Sequence, residues 1–286
     1  MRFRTEIECR PSPWKIDHAT PLLMLGSCFT DEIGNQLSSD GFDVIHNPFG
    51  PLYNPMSLGT CLERALSQRL YAESDLTDGP RGFHCLDYAS RYSGTDSKAL
   101  LADINSTLSL VGDRLQGRPV VILTLGSAFV YKHNDTNSIV GNCHKFPATE
   151  FTRFRVTVDD ICERLTPTIE SLQAAGVRHI IFTVSPIRHL ADGLHGNTIS
   201  KSTLLLAIER LTEAYSDFCS YFPSYEIMLD DLRDYRFYAT DMKHPSQVAV
   251  DYIYEVFSDV YFTAATRKEA ADARRRYLAA QHRPIL

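Results

Sequence analysis

The stretch RPVVILTLG, residues 118–126, decides the fold class, because it is the clearest buried strand in the chain. It is a continuous run of apolar and β-branched residues, which is typical of a strand covered on both faces in a parallel sheet. VRHIIFTVSP at 177–186 has the same character, and TPLLMLG at 20–26 predicts a third buried strand that ends at Gly26. Two weaker strands are predicted at 42–45 and, in SYEIMLD, at 224–230.

Segments with apolar residues at helical spacing lie between these strands. They predict helices at 30–42, 56–68, 96–115, 157–176, 200–219 and 246–262. Strand followed by helix, repeated about five times, predicts an α/β protein with a three-layer α/β/α sandwich and a parallel sheet of about five strands. We expect one domain over residues 1–286, with a turn-rich excursion near 74–97 and a helical tail from about residue 265.

Composition excludes several function classes. The chain has 29 Lys and Arg against 35 Asp and Glu, a net charge of −6, whereas domains that bind nucleic acid usually carry a basic excess. We interpret its one basic cluster, Arg274–Arg276, as the solvated face of a helix. Seven cysteines without a CxxC spacing predict no structural metal site and indicate a reducing compartment. No secretory signal and no apolar run of membrane-spanning length is seen, so we expect a soluble cytoplasmic protein with no membrane partner.

In a doubly wound sheet, ligands bind beyond the carboxyl ends of the strands, so the strand exits are the places to look for a site. Ser27 follows Gly26 at the first exit, where glycine permits a sharp turn into a helix. A serine nucleophile needs a base, and Asp241 and His244 lie three residues apart on the loop before the last core helix. Turn and capping roles explain each motif alone, but their coincidence at two strand exits favours a Ser-His-Asp arrangement.

Cys28 is the competing nucleophile, since a cysteine at a helix N-terminus has a lowered pKa in the general case. The structural alternative is that it packs as a small apolar side chain. We place Ser27 first, because glycine followed by serine matches the family described next.

Gly26-Ser27-Cys28-Phe29 resembles the signature of the GSCFA-domain proteins, a bacterial branch of the SGNH (GDSL-type) hydrolases. The similarity extends over nearly the whole chain. It includes NPFGPLYNP (47–55), GNCHK (141–145), SPIRHLADGLHGNTISK (185–201) and YFPSYEIMLDDLRDYRFYATDMKHPS (221–246). The first block departs from the Gly-Asp-Ser form, because cysteine follows the serine directly.

This resemblance implies a catalytic triad of Ser27, His244 and Asp241. It also implies an oxyanion hole that uses the N–H groups of Ser27 and Gly50. The GxND asparagine of the third block is missing, since the chain has Gly126-Ser127-Ala128 there. Asn142 or the hydroxyl of Ser127 is the candidate substitute, and we rank Asn142 first because an amide N–H is a dedicated donor.

Four further residues are candidates for binding substrate, namely Asn47, His144, Arg188 and His189. Arg188 and His189 directly follow a predicted strand and are suited to an anionic group, although an ion pair with Asp192 is an equal alternative for them.

The function that the resemblance implies is a serine esterase that needs no metal or organic cofactor. Its expected substrate is a small-molecule or glycan ester, such as a carbohydrate O-acetyl group. The alternatives are an acyltransferase with the same triad, and a non-catalytic module that keeps the cleft for ligand binding.

Overall fold

The computed structural model of the protein describes residues 4–80 and 82–281, so the ends of the predicted domain at 1–3 and 282–286 lie outside the described residues. Its strands, in chain order, are β1 (Leu22–Gly26), β2 (Val44–His46), β3 (Thr77–Gly79), β4 (Gly82–His84), β5 (Ser93–Gly94), β6 (Val120–Leu125), β7 (Phe129–His133), β8 (Ile139–Val140), β9 (Phe151–Arg155), β10 (His179–Val184) and β11 (Cys219–Phe222). The central sheet has the order β11–β10–β6–β1–β2, and each neighbouring pair is parallel. The predicted five-stranded parallel sheet is confirmed.

Helices cover both faces of this sheet. They are α1 (Phe29–Ser39), α2 (Pro55–Leu66), α3 (Ser97–Gln116), α4 (Val158–Ala174), α5 (Gly193–Ala214), the single turn α6 (Ser224–Glu226), α7 (Gln247–Tyr261) and α8 (Ala264–Gln281). Short 3-10 turns lie at Glu73–Asp75, Ala148–Glu150, Leu190–Asp192 and Tyr235–Phe237, and a π turn lies at Ile227–Asp231. Among the described residues, none of the helices has the length and apolar character that crossing a bilayer requires.

Alternate residues of the central strands enter two separate cores. In β1, Leu23 and Leu25 pack with the cluster that holds α2, α3, α4 and α5. Leu22 and Met24 face the opposite way and pack with α1, α7 and α8. Because successive strand residues point to opposite faces, a strand buried on both sides must be apolar throughout. The two cores therefore confirm the three-layer sandwich.

The fifth strand differs from its prediction. The segment SYEIMLD (224–230) was expected as a strand, but it forms α6 and the π turn, and the strand is β11 just before it. Pro223 separates the two, and a proline disfavours continuation of a strand ladder. Ile227 and Met228 are adjacent and both fully buried in one core, a pattern that alternation along a strand does not allow.

Two small antiparallel sheets extend from the sandwich. The predicted excursion near 74–97 carries the sheet β3–β4–β5. A second sheet, β8–β7–β9, was not predicted and lies between the exit of β6 and the start of α4.

Helix α1 is held at its carboxyl end by the C-terminal helices. Its C-cap residue Asp40 pairs with Arg274 of α8 and accepts a hydrogen bond from the hydroxyl of Tyr254 of α7, at 2.6 Å. Arg274 also donates to the side chain of Gln36 in α1. The first residue of the basic cluster 274–276 is therefore an anchor between helices, not part of a solvated face.

The end of β1 requires glycine. Gly26 has a φ of +149°, and a Cβ built on it would lie 2.2 Å from the carbonyl oxygen of Thr124 in β6. Any side chain there would have to push two neighbouring strands apart, in a conformation that L residues rarely adopt. The sharp turn into α1 follows from this close approach.

The exits of β6 and β10 are joined by a buried lysine. Lys201 of α5 is 1% exposed, and its Nζ donates to the carbonyl oxygens of Gly126 and Ser185, each at 2.7 Å. Burial lowers the pKa of Lys201 to about 7, and the nearby Cys28 opposes this shift.

We predict that Gly26→Ala lowers the free energy of unfolding by about 2–4 kcal/mol, because the added methyl group meets a strand carbonyl and the backbone is strained. Urea titration against unsubstituted protein measures this. Gly94→Ala is the matched control, since a Cβ on Gly94 meets nothing within 4 Å. An equal loss of unfolding free energy in Gly26→Ala and Gly94→Ala would contradict this prediction.

We predict that Lys201 makes stability depend on pH between 7 and 9. The unfolded chain keeps this lysine protonated up to about pH 10.4, whereas the folded protein releases the proton near pH 7. The unfolded state thus binds more protons in this window, and stability rises with pH by up to about 1.4 kcal/mol per pH unit. Lys201→Met should remove this slope in urea titrations, and Lys98→Met, at an exposed lysine of α3, should leave it. A slope unchanged in Lys201→Met would refute the prediction.

Candidate active site

The turn after β1 is built around the side chain of Asn47. The Asn47 Oδ1 accepts the Gly26 N–H at 2.9 Å, and its Nδ2 donates to the Ser27 carbonyl at 3.1 Å and to Asp31 Oδ2 at 3.0 Å. Asn47 is buried and its own φ is +40°. The amide predicted to bind substrate is therefore occupied in holding the turn that presents Cys28 as the N-cap residue of α1.

A thiol, an imidazole and a carboxylate contact one another in turn here. The Sγ of Cys28 is 3.7 Å from Nε2 of His244, and the His244 Nδ1 is 2.6 Å from Asp241 Oδ2. The other carboxylate oxygen of Asp241 accepts the N–H groups of His244 and Lys243. These donors hold the pKa of Asp241 well below its usual range, so that it stays ionised and fixes the ring. The structure brings Asp241 and His244 together as the sequence predicted.

Ser27 points in the other direction. It is 0% exposed, and its hydroxyl donates to Ser185 Oγ at 2.9 Å. Its N–H donates to the Thr124 carbonyl at 3.1 Å and is therefore not free to bind a substrate oxygen, as the resemblance had implied. Of the two candidate nucleophiles, Cys28 is the one that the structure places against His244.

The thiol of Cys28 is protonated in this arrangement. Burial is the largest cause of its raised pKa, with smaller contributions from Asp31 and Glu32. The hydroxyl of Tyr53, 4.0 Å from the sulfur, and the Cys28 N–H act in the opposite sense. A base is therefore needed to form the thiolate, and His244 is in position to act as one.

Tyr53 was not singled out in the sequence, although it lies in the NPFGPLYNP segment. Its backbone carbonyl accepts the N–H groups of Gly126 and Ser127, at 2.7 and 2.9 Å. Its hydroxyl approaches Cys28, and its ring packs edge-on against His189, with centroids 5.3 Å apart. The residue thus links the exits of β1, β6 and β10.

Gly50 and Ser127, two of the predicted oxyanion donors, are engaged elsewhere, and Asn142 is fixed through its side-chain oxygen. The Gly50 N–H donates to the Asn47 carbonyl at 2.8 Å, and Ser127 Oγ contacts Ser200 Oγ at 3.3 Å. The Oδ1 of Asn142 accepts the His144 N–H at 2.8 Å. Within residues 4–80 and 82–281, the Cys28 N–H has no acceptor outside its own residue, and it lies at the N-terminus of α1. This N–H is the donor that the backbone offers at the thiol.

His144 lies away from the thiol. Its Nε2 contacts the Tyr88 carbonyl at 3.0 Å and its ring lies against His84. Burial lowers its pKa, and in the described part of the chain it makes no contact with Cys28 or His244. His144 therefore packs between the excursion near 74–97 and the segment that follows β8.

Arg188 lies beside the loop that carries His244. Its Nε donates to the Tyr238 hydroxyl at 3.3 Å, and its N–H donates to the Lys243 carbonyl at 3.2 Å. The ion pair with Asp192 that the sequence left open is formed by Arg153 instead. Arg188 therefore contributes a half-buried positive charge beside the loop of Asp241 and His244.

His189 is fixed at the exit of β10. Its N–H donates to Asn197 Oδ1 at 2.9 Å. Burial is the main cause that lowers its pKa to about 4, so the ring is neutral at neutral pH and cannot hold an anionic group by charge.

Comparison with known proteins assigns the chain to a family. The GSCFA family model matches residues 21–257, which span the turn after β1, the loop of Asp241 and His244, and most of α7. No curated protein and no solved structure matches the chain. Among the described residues, no group of three or more His, Cys, Asp or Glu side chains is arranged to hold a metal ion. Since the matched region covers most of its length, the chain belongs to the GSCFA family.

Proposed function

We propose that this protein is an acyl-transfer enzyme in which Cys28 is the nucleophile, His244 the general base and Asp241 the group that orients it. The observation that supports the proposal is the 3.7 Å contact between Cys28 Sγ and His244 Nε2, with the opposite ring nitrogen 2.6 Å from Asp241. A nucleophile paired with a base, and a base oriented by a third group, is the arrangement that covalent catalysis needs.

The reaction begins when His244 takes the proton of the Cys28 thiol. The thiolate forms a bond to the carbonyl carbon of an ester, and the carbonyl π electrons move to the oxygen. When this oxyanion collapses, the bond to the alkoxide breaks and His244 returns the proton to the leaving alcohol. The acyl group is then held as a thioester on Cys28, while Asp241 stabilises the transient imidazolium.

The second half-reaction decides between hydrolase and transferase. Water or an acceptor alcohol loses its proton to His244 and attacks the thioester carbonyl. The C–S bond then breaks, the acid or new ester leaves, and His244 returns the proton to the sulfur of Cys28. The side chains of His244 and Asp241 are 48% and 42% exposed, so an acceptor has access to the base. A small acyl ester, such as a carbohydrate O-acetyl group, is the substrate class we propose, and the half-buried charge of Arg188 favours one with an anionic group nearby.

A serine-dependent enzyme is the second candidate. It is supported by the hydrogen bond from Ser27 Oγ to Ser185 Oγ, next to Lys201, whose Nζ binds the Ser185 carbonyl. Against it stands the complete burial of Ser27, since a hydroxyl without exposure has to move before it can reach an ester.

We predict that Cys28→Ala abolishes reaction with 4-nitrophenyl acetate, whereas Ser27→Ala retains it, because His244 contacts the thiol and not the hydroxyl. Nitrophenolate release and mass spectrometry of the acetylated peptide measure this. Cys143→Ala, at another partly exposed cysteine, is the control and should behave as the unsubstituted protein. If Ser27→Ala lost the reaction with 4-nitrophenyl acetate and Cys28→Ala retained it, the serine alternative would be established. Absence of an adduct from every folded variant would favour a binding module.

We predict that Asp241→Asn lowers the rate of this reaction by about 10²–10⁴, because a neutral amide does not stabilise imidazolium or select the required tautomer. Steady-state rates at several pH values measure the effect, with Asp234→Asn as control on the same surface. The pKa of Asp241 lies well below its usual range, so acidification to mildly acidic pH leaves this carboxylate ionised. Unchanged activity in Asp241→Asn would remove the carboxylate from the mechanism.

A further inference from the structure

The hydroxyl of Tyr53 ends at the thiol of Cys28. Its oxygen lies 4.0 Å from Cys28 Sγ, and the hydroxyl donates to the sulfur. In the part of the chain that the structure describes, this is the only hydrogen bond that the Tyr53 hydroxyl makes. The side chain is half-buried. Unlike the polar groups of Gly50 and Ser127, this donor is therefore not engaged in holding the fold.

Three contacts fix Tyr53 in this position. Its carbonyl accepts the N–H groups of Gly126 and Ser127, and its ring packs edge-on against His189. The lack of a side chain at Gly126 makes room for the ring, because a Cβ built there would lie 3.1 Å from Cδ1 of Tyr53. The hydroxyl is thus aimed at the sulfur by the protein itself and not by a substrate.

The hydroxyl remains a donor at neutral pH. Burial is the largest cause that raises the pKa of Tyr53, and Cys28 and Asp31 act in the same sense. A phenol that keeps its proton donates to a neighbouring sulfur and takes no proton from it. The work of a base is therefore left to His244, and the two side chains have different tasks at one sulfur.

A donor at the sulfur matters because the thiol is hard to ionise. Burial raises the pKa of Cys28, and Asp31 and Glu32 of α1 add to the effect. A hydrogen bond to the charged form of a group favours that form, and the bond from Tyr53 acts in this way on Cys28. Hydrogen bonds to ions are shorter than those to neutral groups, so we expect the 4.0 Å contact to close when the thiolate forms.

We propose that Tyr53 is a catalytic residue, whose hydroxyl donates to the Cys28 sulfur whenever the sulfur carries negative charge. This happens twice, before the thiolate attacks the ester carbonyl and when the C–S bond of the thioester breaks. Tyr53 keeps its proton in both steps, while the thiol proton passes to His244 and returns from it. The inference rests on the proposed function, because it assigns a role in acyl transfer by Cys28.

The experiment measures the ionisation of the thiol. Alkylation by iodoacetamide requires the thiolate and involves no acyl group, so its rate at Cys28 follows the thiolate fraction. The rate is measured by peptide mapping from about pH 6 to about pH 10, a range around the ordinary pKa of cysteine. Tyr53→Phe is compared with the unsubstituted protein. Tyr235→Phe, at a tyrosine that is 76% exposed, is the matched control.

The charged and titratable groups around the thiol, other than Tyr53, are the same in all three proteins. They are Asp31 and Glu32 of α1, Arg188 and His189 after β10, Lys201 of α5, and Asp241, Lys243 and His244 of the loop. A difference between the profiles is therefore due to the hydroxyl. Phe keeps the ring and the backbone carbonyl, so Tyr53→Phe is expected to fold, and thermal unfolding checks it.

The expected result is that the inflection of the alkylation profile lies higher in Tyr53→Phe by about one pH unit, the effect of one hydrogen bond to a charged group. Below the inflection, alkylation is then up to about tenfold slower. Above it, the variant should react at least as fast as the unsubstituted protein, because a thiolate of higher pKa is the stronger nucleophile. Acetylation by 4-nitrophenyl acetate should fall in the same lower range of pH.

Two results would overturn the inference. Superimposed profiles would mean that the hydroxyl does not stabilise the thiolate, and an equal loss at every pH would mean that it acts on access or packing. In both cases acetylation of the unsubstituted protein at Cys28 still supports the proposed function. If the inflection moves but the unsubstituted protein is not acetylated at Cys28, the proposed function fails, and the catalytic role of Tyr53 fails with it.

Discussion

The hydrogen bond from the Ser27 N–H to the Thr124 carbonyl, at 3.1 Å, is the contact on which the site depends. It forms where β1 ends against β6, at a separation that only glycine at position 26 permits. Because it draws Ser27 into the sheet, the next residue, Cys28, is left at the start of α1, where its sulfur contacts His244. The close approach of β1 and β6 thus determines the directions of the Ser27 and Cys28 side chains.

A set of buried polar groups supports the turn after β1. Ser185 accepts the Ser27 hydroxyl, and Lys201 holds the carbonyl of Ser185 and that of Gly126. These groups are all buried, and burial without partners would cost several kcal/mol for the lysine alone. Their mutual bonds fix the relative positions of three strand exits, which is the precision that a catalytic site needs.

The sequence predicts the architecture well, because the central strands are apolar on both faces and the helices are amphipathic. It also predicts the pairing of Asp241 with His244, which depends on a local spacing of three residues. The sequence prediction fails for the fifth strand. The apolar residues Ile227 and Met228 suit a helical turn and a strand equally, and the strand β11 lies before them at Cys219–Phe222. The prediction also misses the sheet β8–β7–β9, whose strands are short, with β9 largely exposed.

The choice between Ser27 and Cys28 could not be made from local pattern. The hydroxyl partner of Ser27 lies at position 185, far along the chain, and only the folded structure brings the two together. One signal was present in the family resemblance: the Gly-Asp-Ser form has its serine two residues after the glycine, and this chain has Cys28, the nucleophile that we propose, at that spacing. Gly50 was carried over from the family resemblance, and Asn47, Ser127 and Asn142 were chosen for their polar groups. The structure shows the Asn47 amide, the Gly50 N–H and Ser127 Oγ engaged with other protein groups.

The anchoring of Asp40 by Arg274 and Tyr254 has a mechanical consequence for the thiol. Helix α1 has 11 residues and is about 16 Å long, with Cys28 at one end and Asp40 at the other. A hydrogen-bonded helix of this length transmits displacement along its axis with little compression. The C-terminal helix α8 therefore helps to fix α1 along its axis, and with it the position of Cys28, which we propose as the nucleophile.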